Sequence, residues 1–372
     1  MEVTCVKPEA LSANLIATWR ELQQSNPHLS SPFFCPEFTR IVGAYRPDTE
    51  VGVVEDGGQV VAFFPYQRGR YSTGKPVGGI ISDYQGLICR PDWACDPLEL
   101  LRGCRLAAWE FDHLVAAQPC FRKFWQHETR SPRIDLSAGY EAYVKARCDA
   151  GSEQIKKCGN LTRRLEREGG RLRFEADVTG VEALNQLFAW KSEQYLRSSL
   201  NDTLGIGWVR AILREIHATR STGFAGALSV LYAGDRMVAA HFGMRSDTVW
   251  HYWFPAYDPA YSKYSPGLIL LLKLAESAAS GGLKTLDLGK GESPYKLRLM
   301  NGEVPLAEGS VDRPCLVTFV RRAKRRAQAL MRVAERAEPD QDRGEAGGSP
   351  PPAVAQEPRA AVMGRGDENG DV

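Results

Sequence analysis

The sequence predicts a mixed α/β (α+β) protein built from two copies of a related unit, with central sheets flanked by helices. Three observations carry this prediction. Segments 50–68 and 225–245 each read as a β-hairpin closed at a Gly/Asp turn, and helical stretches precede both. Residues 248–300 read as one strand–loop–helix–strand unit. The chain has 372 residues, room for two domains at about 100–200 residues each.

Taken in order, Leu15, Ile16, Trp19 and Leu22 follow Ser12 at helical spacing, and 32–45 reads as a second short helix entered through a turn. Glu50–Glu55, the turn Asp56-Gly57-Gly58 and Gln59–Arg68 form the first hairpin. Residues 77–90 read as a pair of short strands, and 97–106 and 136–150 as helices. Seven basic residues from Lys156 to Arg173 mark a solvated helix face and the start of a second unit. Helices follow at 181–197 and 207–219, then strands at 225–233, 237–245 and 248–257. The apolar helix 268–279 stops at Gly281-Gly282, and a strand follows at 284–288. The expected division is 1–150, 151–320, and a basic helix with a disordered tail over 321–372. In that last segment residues 337–372 hold eight acidic residues and almost no large apolar ones.

Composition narrows the function. Lys+Arg number 47 against Asp+Glu 45, a net charge of +2 that argues against wholesale coating of nucleic acid. No apolar run, Leu268–Leu272 included, is long enough to span a bilayer. The nine cysteines form no Cys-x-x-Cys pair, which argues against a zinc knuckle or thioredoxin-type motif and predicts no metal. A reduced, cytoplasmic setting is expected. Gly289-Lys290-Gly291 lacks the first glycine of a P-loop, where Lys284 stands, and no G-x-G-x-x-G joins a strand to a helix.

The chemistry concentrates between Thr248 and Met300. A helix entered at Pro266-Gly267 offers unpaired N–H groups and a dipole to a phosphate, which makes Tyr261–Gly267 a candidate pyrophosphate cradle with Lys263 as counter-charge. Asp287 lies at a strand end, where α/β sheets meet ligands. Tyr295 and Lys296 follow the Gly-rich exit. His241 shares a strand face with Ala239, Gly243 and Arg245, and His251 reads as core.

In order, Ala239-Ala240-His241-Phe242-Gly243, Tyr257-Asp258-Pro259, Tyr264-Ser265-Pro266-Gly267, Leu286-Asp287-Leu288-Gly289 and Gly291-Glu292-Ser293-Pro294-Tyr295-Lys296 resemble the CelD-like branch of the GNAT acyltransferase superfamily. That branch includes proteins of cellulose and exopolysaccharide synthesis and is related in fold to Fem-type aminoacyltransferases. The first half agrees more loosely, through Phe33–Phe38, Phe64-Pro65 and Ser82-Asp83-Tyr84. The resemblance implies two GNAT-like units, acyl-CoA (acetyl-CoA) as donor, and an amine acceptor such as a small molecule, a sugar nucleotide or a polysaccharide precursor. It implies His241 or Asp287 as base and Tyr295 as acid. Lys296, Asp83 and Tyr84 would bind substrate, and Lys263, Tyr264, Ser265 and Gly267 the donor.

The donor loop keeps one glycine of the Gln/Arg-x-x-Gly-x-Gly/Ala pattern, with Pro266 at the place of the other. Two alternatives accompany this reading. One is a Fem-type transferase using aminoacyl-tRNA, held by the basic stretch 156–173. The other is a non-catalytic accessory protein that binds polysaccharide-synthesis proteins.

Overall fold

The computed structural model describes residues 1–291, 293–315 and 318–319. The expected basic helix and tail over 321–372 lie outside the described residues. The strands are β1 (Glu2–Val6), β2 (Thr49–Asp56), β3 (Gln59–Arg68), β4 (Thr73–Lys75), β5 (Ile88–Cys89), β6 (Ala108–Val115) and β7 (Trp125–Asp135) in the first part. They continue as β8 (Leu172–Glu175), β9 (Arg220–Ser221), β10 (Phe224–Ala233), β11 (Arg236–Arg245), β12 (Val249–Tyr257), β13 (Thr285–Asp287) and β14 (Gly302–Asp312). Around them run α1 (Ala13–Ser25), α2 (Pro36–Tyr45), α3 (Pro97–Gly103), α4 (Tyr140–Asp149), α5 (Gln154–Gly169), α6 (Val181–Arg197), α7 (Gly207–Ala218), α8 (Pro266–Ser280) and α9 (Pro294–Leu299).

All the strands belong to one mixed sheet, ordered β1-β2-β3-β4-β6-β14-β7-β13-β12-β11-β10-β8, with β5 beside β3 and β9 beside β10. The repeated rhythm seen in the sequence is visible as α2-β2-β3 in one half and α7-β10-β11 in the other. The first hairpin turns through Gly57 and Gly58, with φ of 58° and 77°. Two consecutive positive φ values match the right-handed twist of the strands, and glycine reaches them without Cβ strain. Ser12 caps α1 by accepting from the Leu15 N–H at 3.3 Å.

Three details differ from the sequence expectation. Residues 77–90 hold only the two-residue β5 and a 3-10 turn at Gly79–Ile81, because Gly78 and Gly79 take positive φ and break any strand there. The basic stretch is not all helix. Gly170, at φ 96°, ends α5 and sends Arg171 and Arg173 toward the neighbouring strand β8. The central strands β6, β7 and β14 were not singled out from sequence at all.

The halves share their main core. Trp19, Phe33, Phe38 and Phe63 pack in one cluster with Leu187, Ile212 and Phe242. A second cluster lies under α8, where Leu270, Leu274 and Ala278 meet Leu231, Trp250 and Leu286. A third joins α3 to the first half's sheet through Leu100, Phe64 and Trp109. No described helix is long and apolar enough to cross a membrane.

Candidate active site

Strand pairing places the site. Parallel β12 and β13 are in register only over Val249↔Thr285, Trp250↔Leu286 and His251↔Asp287. β13 then ends, while β12 runs on to Tyr257 with no strand on that flank among the described residues. The last pair before the strands part is therefore His251 and Asp287. Both are buried, His251 completely.

Four donors converge on Asp287. Ser131 Oγ from β7 and the Gly289 N–H each donate to its Oδ1 at 2.8 Å, Tyr84 donates its hydroxyl to Oδ2, and His251 Nδ1 faces Oδ1 at 3.5 Å. On its other side, His251 Nε2 donates to Asp83 Oδ2 at 2.8 Å. Asp83 and Tyr84 come from the first half, Ser131 from β7, and His251 and Asp287 from the second half. The cluster exists only where the halves meet.

Charge decides the protonation state. Burial works against a charged His251, but the hydrogen bonds and charges of Asp287 and Asp83 outweigh it and hold its pKa up at about 9. Lost hydration pushes both carboxyls up, yet the hydrogen bond and charge of His251 hold Asp83 and Asp287 below the usual carboxylate range. At neutral pH the group is a carboxylate–imidazolium–carboxylate triad. Buried beside the Asp287 carboxylate, Tyr84 is pushed well above its ordinary value and stays a neutral donor.

The Asp83 side chain is 25% exposed, so it is the member of the triad that solvent reaches. Its other oxygen, Oδ1, lies 3.8 Å from His113 Nε2, and His113 Nδ1 lies 2.9 Å from Asp112 Oδ1. Gly289 has φ 74°, and a Cβ there would stand 3.1 Å from Asp83 Oδ2. Lys296 turns inward, donating to the Gly289 and Lys290 carbonyls at 3.2 and 3.0 Å, and so anchors this glycine-rich exit. Phe33 closes one wall, edge-on to His251 at 5.0 Å.

Of the residues singled out by sequence, Asp83, Tyr84, Asp287 and Lys296 meet here. His241 is fully buried on β11. Its Nε2 accepts from the Trp253 N–H at 3.1 Å, its ring stacks on Tyr252 at 4.5 Å, and burial pushes its pKa down to about 3. It is a neutral packing histidine whose acceptor nitrogen is occupied. Tyr295 lies half-buried on α9 and packs with the cluster under α8.

The donor-loop residues lie at the far end of β12. Lys263 Nζ donates to Glu168 Oε2 of α5 at 3.2 Å, and Tyr264 donates to the same oxygen at 2.5 Å. Ser265 adopts φ 51° immediately before Pro266 opens α8. A Cβ on Gly267 would meet only Tyr257, at 3.6 Å, so the approach to the first turn is open. From His251 to Tyr257, at ~3.3 Å per residue, the flank of β12 spans about 20 Å.

Sequence reasoning missed His251 as a site residue, along with Ser131 and His113. The signal for His251 was a histidine inside the aromatic strand Val249–Tyr257, where a polar ring needs a buried partner.

Residues 152–297 match the acetyltransferase (GNAT) domain family. No curated protein matches the sequence. Among solved structures, FemX is similar at TM-score 0.52 and 8% identity, over 83% of this chain and 96% of that one. A conserved protein from Bacteroides thetaiotaomicron is similar at 0.51 and 11%, over 79% and 97%. The C-terminal DUF2156 domain of an Agrobacterium fabrum protein assigned as a lysylphosphatidylglycerol synthetase is similar at 0.50 and 12%, over 79% and 91%. At these identities the likeness is one of fold. The protein is thus similar to GNAT acetyltransferases in sequence over residues 152–297, the segment that contains both His251 and Asp287.

Proposed function

We propose that the protein is an N-acyltransferase that moves an acyl group from acyl-CoA to an amine acceptor. The observation that carries this reading is the parting of β12 and β13 immediately beyond a buried, charged His251–Asp287 pair. In this reading the pyrophosphate rests on the first turn of α8, where free N–H groups and the helix dipole favour an anion. The pantetheine arm follows the open flank of β12 and delivers the thioester to the triad.

The acceptor amine then attacks the thioester carbonyl, and a new C–N bond forms as the C–S bond breaks. Asp83, the exposed carboxylate, receives the proton that the amine loses. Asp83 then returns that proton to the departing thiolate, and His251, whose two ring nitrogens face Asp83 and Asp287, holds the Asp83 carboxylate in place. Asp287, fixed by Tyr84, Ser131 and Gly289, orients the ring without touching substrate. This assignment moves the acid role from Tyr295, and the base role from His241 or Asp287, to Asp83, because Asp83 is the member of the triad that solvent reaches.

Calorimetry with acetyl-CoA tests the donor half. Gly267→Asp sets a carboxylate on the first turn and is expected to abolish binding while leaving the melting temperature unchanged. Release of free CoA thiol in the presence of a panel of amines tests the chemistry. Asp83→Asn is expected to bind acetyl-CoA normally and lower the rate about 10²–10⁴-fold, the range for a lost proton-transfer group. No acetyl-CoA binding by the parent, or a parental rate in Asp83→Asn, would refute the reading.

A further inference from the structure

A second group of reactive side chains lies in the first half, away from the triad. Cys95 stands just ahead of α3, and Cys120 follows β6, yet their thiols are hydrogen-bonded to each other. Both are partly exposed. They line an open cavity of about 680 Å³ together with Asp96, Arg122 and Lys123. The hydrogen bond from Cys95 comes first among the causes that push the Cys120 thiol down, with backbone N–H groups adding to it against the effect of burial. That same bond, with burial, pushes Cys95 up. The pair is therefore asymmetric, with Cys120 the more acidic of the two thiols. Two cations against one carboxylate give the cavity a positive bias that draws anions.

We propose that Cys95 and Cys120 form a thiol–disulfide exchange site for anionic low-molecular-weight disulfides of the oxidised-glutathione class. The Cys120 thiolate attacks one sulfur of the disulfide, whose S–S bond breaks and releases one thiolate that takes up a proton. Cys95 then loses its proton and attacks the Cys120 sulfur of the mixed disulfide, which expels the second thiolate. The balance is two protein thiols and one disulfide giving one protein disulfide and two small thiols.

A contrasting pair sits at the other end of α3. Cys5 and Cys104 also share a hydrogen bond, and Cys5 is held down at about 6. There Glu50 is paired with Arg68 beside the thiol, and Cys104 is fully buried. A fully buried thiol is poorly placed to resolve a mixed disulfide.

The full chain is incubated with oxidised glutathione at pH 7, quenched with an alkylating agent and mapped by mass spectrometry. The parent is expected to yield a Cys95–Cys120 disulfide that dithiothreitol reverses. Cys95→Ser is expected to accumulate a glutathione mixed disulfide on Cys120, about tenfold faster than on Cys148. Changing Arg122 and Lys123 together to Ala slows reaction with oxidised glutathione but not with uncharged 2-hydroxyethyl disulfide. A bond found only at Cys5–Cys104, or Cys120 in Cys95→Ser reacting no faster than Cys148, overturns the proposal. Because mapping reads the thiols and not acyl transfer, it is independent of the function proposed above.

Discussion

Replacing His251 by Gln is expected to lower the melting temperature by on the order of 10 °C and to abolish acyl transfer. The imidazolium is the shared partner of Asp83 and Asp287, at 2.8 and 3.5 Å. Removing the cation leaves two carboxylates facing a neutral amide in a buried site, and breaking such a pairing costs about 3–5 kcal/mol. The effect depends on pH in a direction that can be worked out. His251 is raised from 6.5 to about 9 on folding, so its contribution is fully present below pH 6.5 and is lost as pH rises through 9. The parent therefore loses stability between those values, and His251→Gln does not. His241 acts in the opposite window. Burial pushes it from 6.5 down to about 3, so the unfolded chain binds the extra proton and stability falls as pH drops below 6.5. Urea denaturation from pH 5 to 9.5 is expected to show a maximum near 6.5 in the parent, and only the acid-side decline in the variant.

Gly243→Ala is expected to be nearly as damaging, although the glycine bears no side chain and touches no substrate. The pairing of β11 with β12 slips between Phe242 and Met244, and the chain of β12 passes directly over Gly243. A Cβ there would stand 2.0 Å from the His251 carbonyl oxygen and 2.8 Å from the His241 ring. Neither neighbour can yield without moving a strand. Overpacking of this kind costs ~1–3 kcal/mol, and displacing His251 by an ångström costs about 10²-fold in rate. Gly159, on the exposed face of α5, is the control, because a Cβ added there would meet nothing within 4 Å. At that position the same substitution is expected to stabilise by about 0.5–1 kcal/mol, as helix propensity dictates. Thermal melts of the two variants beside a single-turnover assay of Gly243→Ala separate the packing effect from the positional one.

Local signals were legible in the sequence, and long-range ones were not. The hairpins 49–68 and 224–245 announce themselves through Asp-Gly and Gly-Asp turns, and α8 through its apolar run and flanking Pro and Gly. Asp287 was found because it ends a strand, and Asp83 and Tyr84 through the family resemblance of Ser82-Asp83-Tyr84. What joins them was hidden. Asp83 and His251 are 168 positions apart, and no pattern along the chain relates them. His251 read as core because it is core, and its two carboxylate partners are what convert a buried ring into a charged one. His241, which alternation alone rates equally, meets a backbone N–H instead and stays neutral. β7 escaped notice because Pro132 and a run of polar residues spoil its alternation, and β14 because Gly and Pro interrupt it.

The position of β14 has a consequence for how the molecule is made. β6 and β7 are consecutive in the chain, but in the sheet they do not touch, because β14 lies between them and pairs with both. During synthesis, Asp135 at the end of β7 leaves the ribosome roughly 180 residues before Asp312 does, and translation proceeds at ~5–20 residues per second. For about 9–35 seconds the nascent first half holds an empty slot with two exposed strand edges, the kind of surface that captures other chains. Ser131, which anchors Asp287, sits on one of those edges. A chain released before Gly302 would therefore carry all three residues of the triad in a sheet left open between β6 and β7, and is expected to aggregate.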